Sequence, residues 1–397
     1  MANAFTSTGS ATLGGTSGSA GLVQQAYDRL LEFALRSEPL IRSVADKTPA
    51  RQSIPGSTVV LQKYVDLAAN TTALSETTDP DAVALSTPTQ VSITLAEYGN
   101  SVLVTRALEL FSLADVDPAI ANIIAFNLAD SIDSVAMTTL RGGTQKIYGG
   151  NATSTVTVDA ADTLDSADVR KVVAKLRAAK AVARKGSLYW TGIHPEVSHD
   201  LRAESSSGQG WLLPNQYGSS QDRIWAGEIG NYEGAYYIES ARMYSEKAGA
   251  DQTALATASA VSGVSGAFTI VAANAAFGGR AEVGDKISGT NVGASAKITA
   301  ISVGATNTTF TVDVANSGTV GTNTLTVTPV TRVYRTILAG QQALAEAVAE
   351  EPHTVIGPVI DQLMRFRPMG WYGVLGFKRY REEALYRIET GSTIGAL

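Results

Sequence analysis

The spacing of apolar side chains changes repeatedly along this chain, and each change predicts an element. Leu22, Val23, Ala26, Tyr27, Leu30, Phe33 and Ala34 fall at three- and four-residue steps, one stripe of a helix that stops before Pro39. From Thr58 to Thr105 the period drops to two. Val59, Leu61, Tyr64 and Val65 form one run, and Val91, Ile93 and Leu95 the next, followed by Val102 and Val104. Two strands therefore flank the stretch Asn70-Thr71-Thr72-Ala73-Leu74-Ser75-Glu76-Thr77-Thr78-Asp79-Pro80, which is too long for a tight turn and too polar for a core. It predicts an extended hairpin projecting from the body, and long projecting arms usually hold something else.

Asp117-Pro118 predicts a helix start, because the Asp side chain can cap free amides and proline at the first position loses no hydrogen bond. Ile120, Ile123, Ile124, Leu128, Ile132, Val135 and Leu140 keep helical spacing until Gly142-Gly143 ends it. A second helix is expected from Asp165, with Asp168 resembling a capping box, through Val169, Val172, Val173 and Leu176 to Gly186. Leu188-Tyr189-Trp190-Thr191 reads as a buried strand. Between about Ala250 and Pro329 the chain turns to Gly, Ala, Ser, Thr and Val in short alternating runs such as Thr309-Phe310-Thr311-Val312-Asp313-Val314, a small all-β module. Mixed composition resumes on both sides, in Gly234-Ala235-Tyr236-Tyr237-Ile238-Glu239-Ser240 and Val333-Tyr334-Arg335-Thr336-Ile337-Leu338, so the module looks inserted into an α/β domain.

Composition narrows the class. With 397 residues the chain can hold two or three domains. Charged residues are 17% of it, below the roughly 25% of average soluble domains, while 44% are hydrophobic. Much weakly polar surface is left for partners. A net charge of -6 argues against a phosphate-gripping protein, whose affinity would come from clustered Lys and Arg. Zero cysteines exclude disulfides, thiolate metal sites and a cysteine nucleophile. Residues 1–20 are almost all Gly, Ser, Thr and Ala, which predicts a flexible arm. No basic and apolar leader follows Met1, and no apolar run reaches the roughly 18 to 20 residues that span a bilayer, so the expectation is a soluble protein made in a cytoplasm, with no membrane partner.

No constellation of reactive groups emerges. His194 and His199 are five apart and fall on different faces of a helix, unlike paired metal ligands. His353 follows Glu350-Glu351-Pro352 and fits a surface loop. No G-x-S-x-G elbow supports a nucleophile triad, and neither Gly14-Gly15-Thr16-Ser17-Gly18 nor Gly370-Trp371-Tyr372-Gly373 has the spacing of a phosphate-cradling loop. No catalytic, cofactor-binding or metal-ligating residue is assigned. In the tail, Arg365, Arg367, Lys378, Arg379, Arg381 and Arg387 alternate with Glu382, Glu383 and Glu389, a pattern read as an inter-subunit salt-bridge surface rather than a nucleic-acid patch.

The order of parts, arm, short helix, projecting hairpin, long capped helix, α/β domain with a β insertion and strand-rich tail, resembles the tailed-phage major capsid fold of the Hong Kong 97 type. The stretch Gly192-Ile193-His194-Pro195-Glu196-Val197-Ser198-His199-Asp200-Leu201-Arg202 also looks like the strand, His-Pro, helix segment of many phage coat proteins. The resemblance implies an α+β fold divided into an N-terminal arm and short helix (1–48), an E-loop hairpin (49–105), a peripheral domain with a spine helix (106–186), an axial domain in two parts (187–249 and 331–364), an inserted β domain (250–330) and C-terminal strands (365–397). It implies a non-enzymatic subunit of hexamers and pentamers in an icosahedral shell around double-stranded DNA that it encloses without specific binding, located in the virion, with scaffold, portal and decoration proteins as further partners. Assembly contacts are expected at Leu67, Leu74, Val83, Leu85, Arg106, Arg365, Arg367, Arg379, Arg381, Glu382 and Glu383. Some members of that family lock the shell with an isopeptide bond from an E-loop lysine. No lysine lies between Lys63 and Lys146 here, so a shell without such crosslinks is expected. The arm is short and uncharged, unlike a cleaved scaffolding segment, which leaves a separate scaffold or an already mature chain. A surface-layer or adhesin protein, suggested by the Thr- and Val-rich module, and a hydrolase with an unrecognised site are the competing readings.

Overall fold

The computed structural model describes residues 40–49, 57–74, 76–77, 82–107, 116–203, 228–255, 258–273, 281–358, 363 and 365–394. The arm and the helix expected over 22–34 lie outside the described residues. The chain divides into two compact units. One comprises Met1–Arg36, Gly99–Asn127 and His353–Tyr372, the other Ser37–Tyr98, Leu128–Pro352 and Gly373–Leu397.

In chain order the strands are β1 (Ala45–Pro49), β2 (Thr58–Lys63), β3 (Thr89–Thr94), β4 (Ala96–Thr105), β5 (Lys146–Tyr148), β6 (Tyr189–Ile193), β7 (Glu228–Tyr232), β8 (Ala235–Glu239), β9 (Ser245–Asp251), β10 (Ala258–Ser262), β11 (Thr269–Ala273), β12 (Lys286–Gly289), β13 (Ile298–Val303), β14 (Asn307–Val312), β15 (Thr324–Thr328), β16 (Val330–Ala339), β17 (Leu344–Ile356), β18 (Phe366–Arg379) and β19 (Leu385–Thr390). The helices are α1 (Val116–Leu140), α2 (Ser166–Ala178) and α3 (Pro195–Ala203).

The centre of the larger unit is a seven-stranded sheet in the order β5-β19-β16-β6-β8-β7, with β9 also paired to β16. β6 and β8 run parallel, Tyr189 opposite Ala235, and α3 lies in the crossover between them. All five residues of β6 are buried, which is why it reads in sequence as an unbroken apolar run instead of an alternating one. On one face Val169, Val172, Val173 and Leu176 of α2 and Val197 and Leu201 of α3 pack on Tyr189, Ile193, Tyr237 and Leu338. On the other, Ala136, Met137 and Leu140 from the end of α1 pack with Ile41, Val44, Trp190 and Ile337. The sheet is thus covered on both faces.

α2 starts as expected, with the Asp165 side chain accepting from the Asp168 amide, but stops at Ala178, short of Gly186. The stop is a C-cap without glycine. Lys180 takes φ 56°, the Ala181 amide reaches back to the Leu176 carbonyl, and the Lys180 amide to that of Arg177.

The residues between β9 and β16 form a separate six-stranded antiparallel sheet, order β12-β15-β10-β11-β14-β13, around its own core of Ile270, Ile287, Phe310, Leu325 and Val327. Its base is tied to the central sheet by charges. Asp285, fully buried, accepts from Lys247 Nζ of β9 at 2.6 Å and from the Val330 amide at 3.2 Å.

β2 and β3 pair antiparallel from Thr58 opposite Thr94 to Lys63 opposite Thr89. Ile93, Val59 and Leu61 seat this ladder on Ala345 and Ala347 of β17. The ladder ends before Leu95, and β4 joins another sheet, ordered β1-β17-β18-β4. Gly376 of β18 passes so close to β3 that a Cβ would lie 2.3 Å from the Thr94 carbonyl oxygen.

The smaller unit is knit by close strand crossing. A Cβ on Gly370 would lie 2.5 Å from the Asn100 carbonyl oxygen. Asn127 Oδ1 accepts from Trp371 Nε1 at 2.9 Å and from Asn100 Nδ2 at 3.3 Å, and the Arg106 amide donates to the Arg365 carbonyl at 2.9 Å.

Candidate assembly surfaces

The histidines carry no reaction geometry. His194 Nδ1 accepts from the Glu196 amide at 3.3 Å, and its ring lies 5.0 Å from that of Tyr334, where burial lowers its pKa. The Tyr334 hydroxyl donates to Glu196, and burial followed by this bond pushes its pKa up. His199 is exposed beside Asp200. Asp200 fixes the C-terminal segment by accepting from the Thr393 amide at 3.0 Å and from its hydroxyl; burial opposes its charge, but these bonds outweigh it and hold the carboxyl below its usual range. Among the described residues no group of His, Cys, Asp and Glu could hold a metal ion. Helix α1 is the one described helix long and apolar enough to cross a membrane, over Ile120–Leu140.

Much of the tail charge expected at a subunit surface is engaged within the subunit. Arg379 Nε donates to Glu382 Oε2 at 2.9 Å and its guanidinium to the Thr139 carbonyl at 2.8 Å. Glu382 also accepts from the Thr144 amide and, at 2.9 Å, from its hydroxyl. Burial works against the Glu382 charge, and the Thr144 and Arg379 bonds more than offset it, so its pKa is lowered. Glu383 is held by Lys63 at 3.0 Å. Arg365 stacks on Phe366 at 5.3 Å, Arg367 is engaged as well, and Arg106 is exposed. Arg381 leans over the Tyr380 ring at 5.9 Å and forms no ion pair with a described residue.

Arg387 and Glu389, read from sequence as part of an inter-subunit salt-bridge surface, belong instead to a charge cluster buried inside the subunit. Glu389, fully buried on β19, lies 3.0 Å from Arg387 Nε and 3.4 Å from Arg335 Nε, and accepts from the Thr155 hydroxyl at 2.5 Å. Arg335 also pairs with Glu246, whose carboxylate accepts from the Tyr244 hydroxyl at 2.6 Å. The Arg141 and Arg335 guanidiniums sit 4.3 and 4.8 Å from the Tyr244 ring centre. The cluster joins three guanidiniums to two carboxylates through ion pairs and ring contacts inside the subunit, with Glu389 Oε1, Arg335 Nε and Arg387 Nε buried without a hydrogen bond.

The projecting stretch behaves in the opposite way. Between β2 and β3, the described residues of 64–88 have no strand or helix and nearly all are exposed. Leu67 is 55% exposed, Leu74 70%, Val83 72% and Leu85 80%. Tyr64 and Val65 at its root are also exposed. These four large apolar side chains have nothing among the described residues to cover them. Full burial of each against a partner contributes about 1.5 to 3 kcal/mol, a sum comparable with the roughly 4 to 15 kcal/mol that association costs in rigid-body freedom.

Residues 133–393 match the phage capsid protein family, and the chain belongs to that family. Solved structures share the fold: the capsid of Ralstonia phage GP4 superposes with a TM-score of 0.61 at 13% identity, over 94% of this chain and 96% of that one. The cyanophage Pam1 capsid asymmetric unit gives 0.58 at 11% identity over 94% and 97%, and the capsid of cyanophage P-SCSP1u 0.57 at 11% over 98% and 99%. No curated protein matches by sequence. The protein is a structural component of a bacteriophage capsid.

Proposed function

We propose that this chain is the major subunit of a tailed-phage head of the Hong Kong 97 type, assembling as hexamers and pentamers into a closed icosahedral shell around double-stranded DNA. Residues 49–105 serve as the loop that overlies a neighbour, α1 as the spine of the peripheral domain, 187–249 and 331–364 as the axial domain, and the 250–330 sheet as an insertion that decorates the outer surface. The carrying observation is the exposure of Leu67, Leu74, Val83 and Leu85 between β2 and β3. Overlap of such arms spreads the entropic cost of association over many weak contacts, which permits correction of misplaced subunits. A net charge of -6 keeps the shell from gripping the packaged DNA, which must leave again.

The shell is held without covalent links, since the projecting loop offers no lysine amine. Assembly takes place in the host cytoplasm with a separate scaffold and a portal. Electron microscopy of the full chain expressed with its scaffold tests the reading: closed shells are expected, and sheets or dispersed subunits would refute it. Purified particles boiled in detergent should run as one band near monomer mass, and a ladder would overturn the non-covalent claim.

A further inference from the structure

At the base of the inserted sheet a lysine is buried between two carboxylates. Lys247 Nζ of β9 lies 2.6 Å from Asp285 Oδ1 and 2.9 Å from Glu282 Oε2. Its side chain is 7% exposed, whereas every other lysine that forms an ion pair among the described residues is at least 25% exposed. The stem is fixed as well as the head. Gly284 has φ 99°, and a Cβ there would lie 2.8 Å from Lys247 Cβ, so the turn that carries both acids closes directly on the lysine.

The Asp285 carboxyl is held as firmly. Oδ2 accepts from the Glu282 amide at 2.8 Å and Oδ1 from the Val330 amide at 3.2 Å, and the residue is fully buried. Glu282 is partly exposed and accepts from Arg332 Nη2 at 3.4 Å. Its pKa is lowered, first by the Lys247 bond, so it is a base near neutrality. Together these groups hold the parts of a condensation. Lys247 is a nucleophile within reach of a carbonyl carbon, Asp285 an electrophile polarised by two backbone amides, and Glu282 a proton carrier at hydrogen-bond distance from the nucleophile. Burial favours the product, because an amide removes two charges whose desolvation a buried pair does not readily offset. Water opposes such a bond between free groups, but groups held in place act at effective molarities of about 10⁵ to 10⁸ M.

We propose that Lys247 and Asp285 join in an intramolecular isopeptide bond. Glu282 takes one proton from the Lys247 ammonium, and the neutral Nζ attacks Cγ of Asp285. The Nζ–Cγ bond forms as the Cγ–Oδ1 bond breaks. Oδ1 leaves as water with the proton carried by Glu282 and a second from Nζ, which keeps one hydrogen in the amide. The bond ties β9 of the central sheet to the turn before β12 and so fixes the insertion at its base. It lies within one subunit, is independent of the shell reading, and produces no ladder on a denaturing gel.

The test is the intact mass of the purified full chain, followed by a tryptic digest. The wild-type mass should fall short of the sequence mass by one water, trypsin should not cut after Lys247, and tandem spectra should show a branched peptide joining Lys247 to Asp285. A wild-type mass equal to the sequence mass, or a water lost elsewhere, such as in a succinimide at Asp285, leaves only a buried ion pair and overturns the proposal. Lys247→Arg keeps the cation but cannot condense, so it should carry its full sequence mass; a water loss persisting in it would equally overturn the proposal. Glu282→Gln removes the proton carrier and leaves both reacting groups. At equal time after synthesis its linked fraction should fall about tenfold or more, with circular dichroism reporting an intact fold. An unchanged linked fraction would overturn the role of Glu282.

Discussion

The central sheet and the projecting segment answer the same physical demand in opposite ways. In the sheet, β6 is buried on both faces, Glu389 has two arginines and a threonine, and Asp133 accepts from the Ile41 amide at 2.6 Å, the Arg42 amide at 3.0 Å and Arg242 Nε at 3.0 Å. The Asp133 and Glu389 carboxylates thus find their counter-charges within one subunit. Along 64–88, Leu67, Leu74, Val83 and Leu85 are more than half exposed and meet no such cover. The contrast separates the side chains that fold the subunit from those left for a partner, which on the proposed function is a neighbouring copy.

The sharpest way to break this contrast is to change the segment alone. Replacing Leu67, Leu74, Val83 and Leu85 together with Ser should abolish closed particles, a loss of up to about 6 to 12 kcal/mol per subunit in buried apolar surface. The denaturation midpoint of the unassembled subunit should stay within about 0.5 kcal/mol of wild type, as for surface changes generally. A large drop in subunit stability would show that these side chains pack internally.

Glu389→Ala makes the converse test. It leaves Arg335 and Arg387 without their buried counter-ion and should cost the free subunit about 3 to 5 kcal/mol, measured by urea unfolding. A change below 1 kcal/mol would mean that the cluster is solvated or self-compensating. Asp165→Ala removes the α2 cap, and a loss of about 1 kcal/mol is expected in the same assay.

The smallest effect is in pH. Asp200 has its folded pKa lowered, so its stabilisation is complete above the unfolded value of about 3.9 and is lost as pH falls through the lower folded value. The stability gap between wild type and Asp200→Asn should therefore be constant near neutrality and shrink below about pH 4. A gap unchanged down to pH 2 would show that shape, not charge, links Asp200 to Thr393.

How far these regions could be read from sequence follows from the range of the interactions involved. β6, α1 and the exposed leucines of the projecting segment were legible because their signals are local: an apolar run, an Asp-Pro start, apolar residues isolated in polar surroundings. The end of α2 was not, because Ala179, Ala181 and Ala183 favour continuation and the stop is made by left-handed Lys180 in place of glycine. The intramolecular partners of the tail charges were not legible for the same reason. Lys63, Thr139 and Thr144, which engage Glu383, Arg379 and Glu382, lie more than 200 residues away in the chain, and no local pattern announces them. Glu389 and Arg387 were read as outward charges, and their buried partners Thr155 and Arg335 were invisible on the same grounds.

The most direct measurement is a cryo-electron microscopy map of particles assembled from the full chain. It should show a closed shell in which Leu67, Leu74, Val83 and Leu85 of each subunit are buried against an adjacent copy. A planar lattice, or a closed shell in which segment 64–88 faces solvent, would contradict the division of labour between the saturated core and the unpartnered arm.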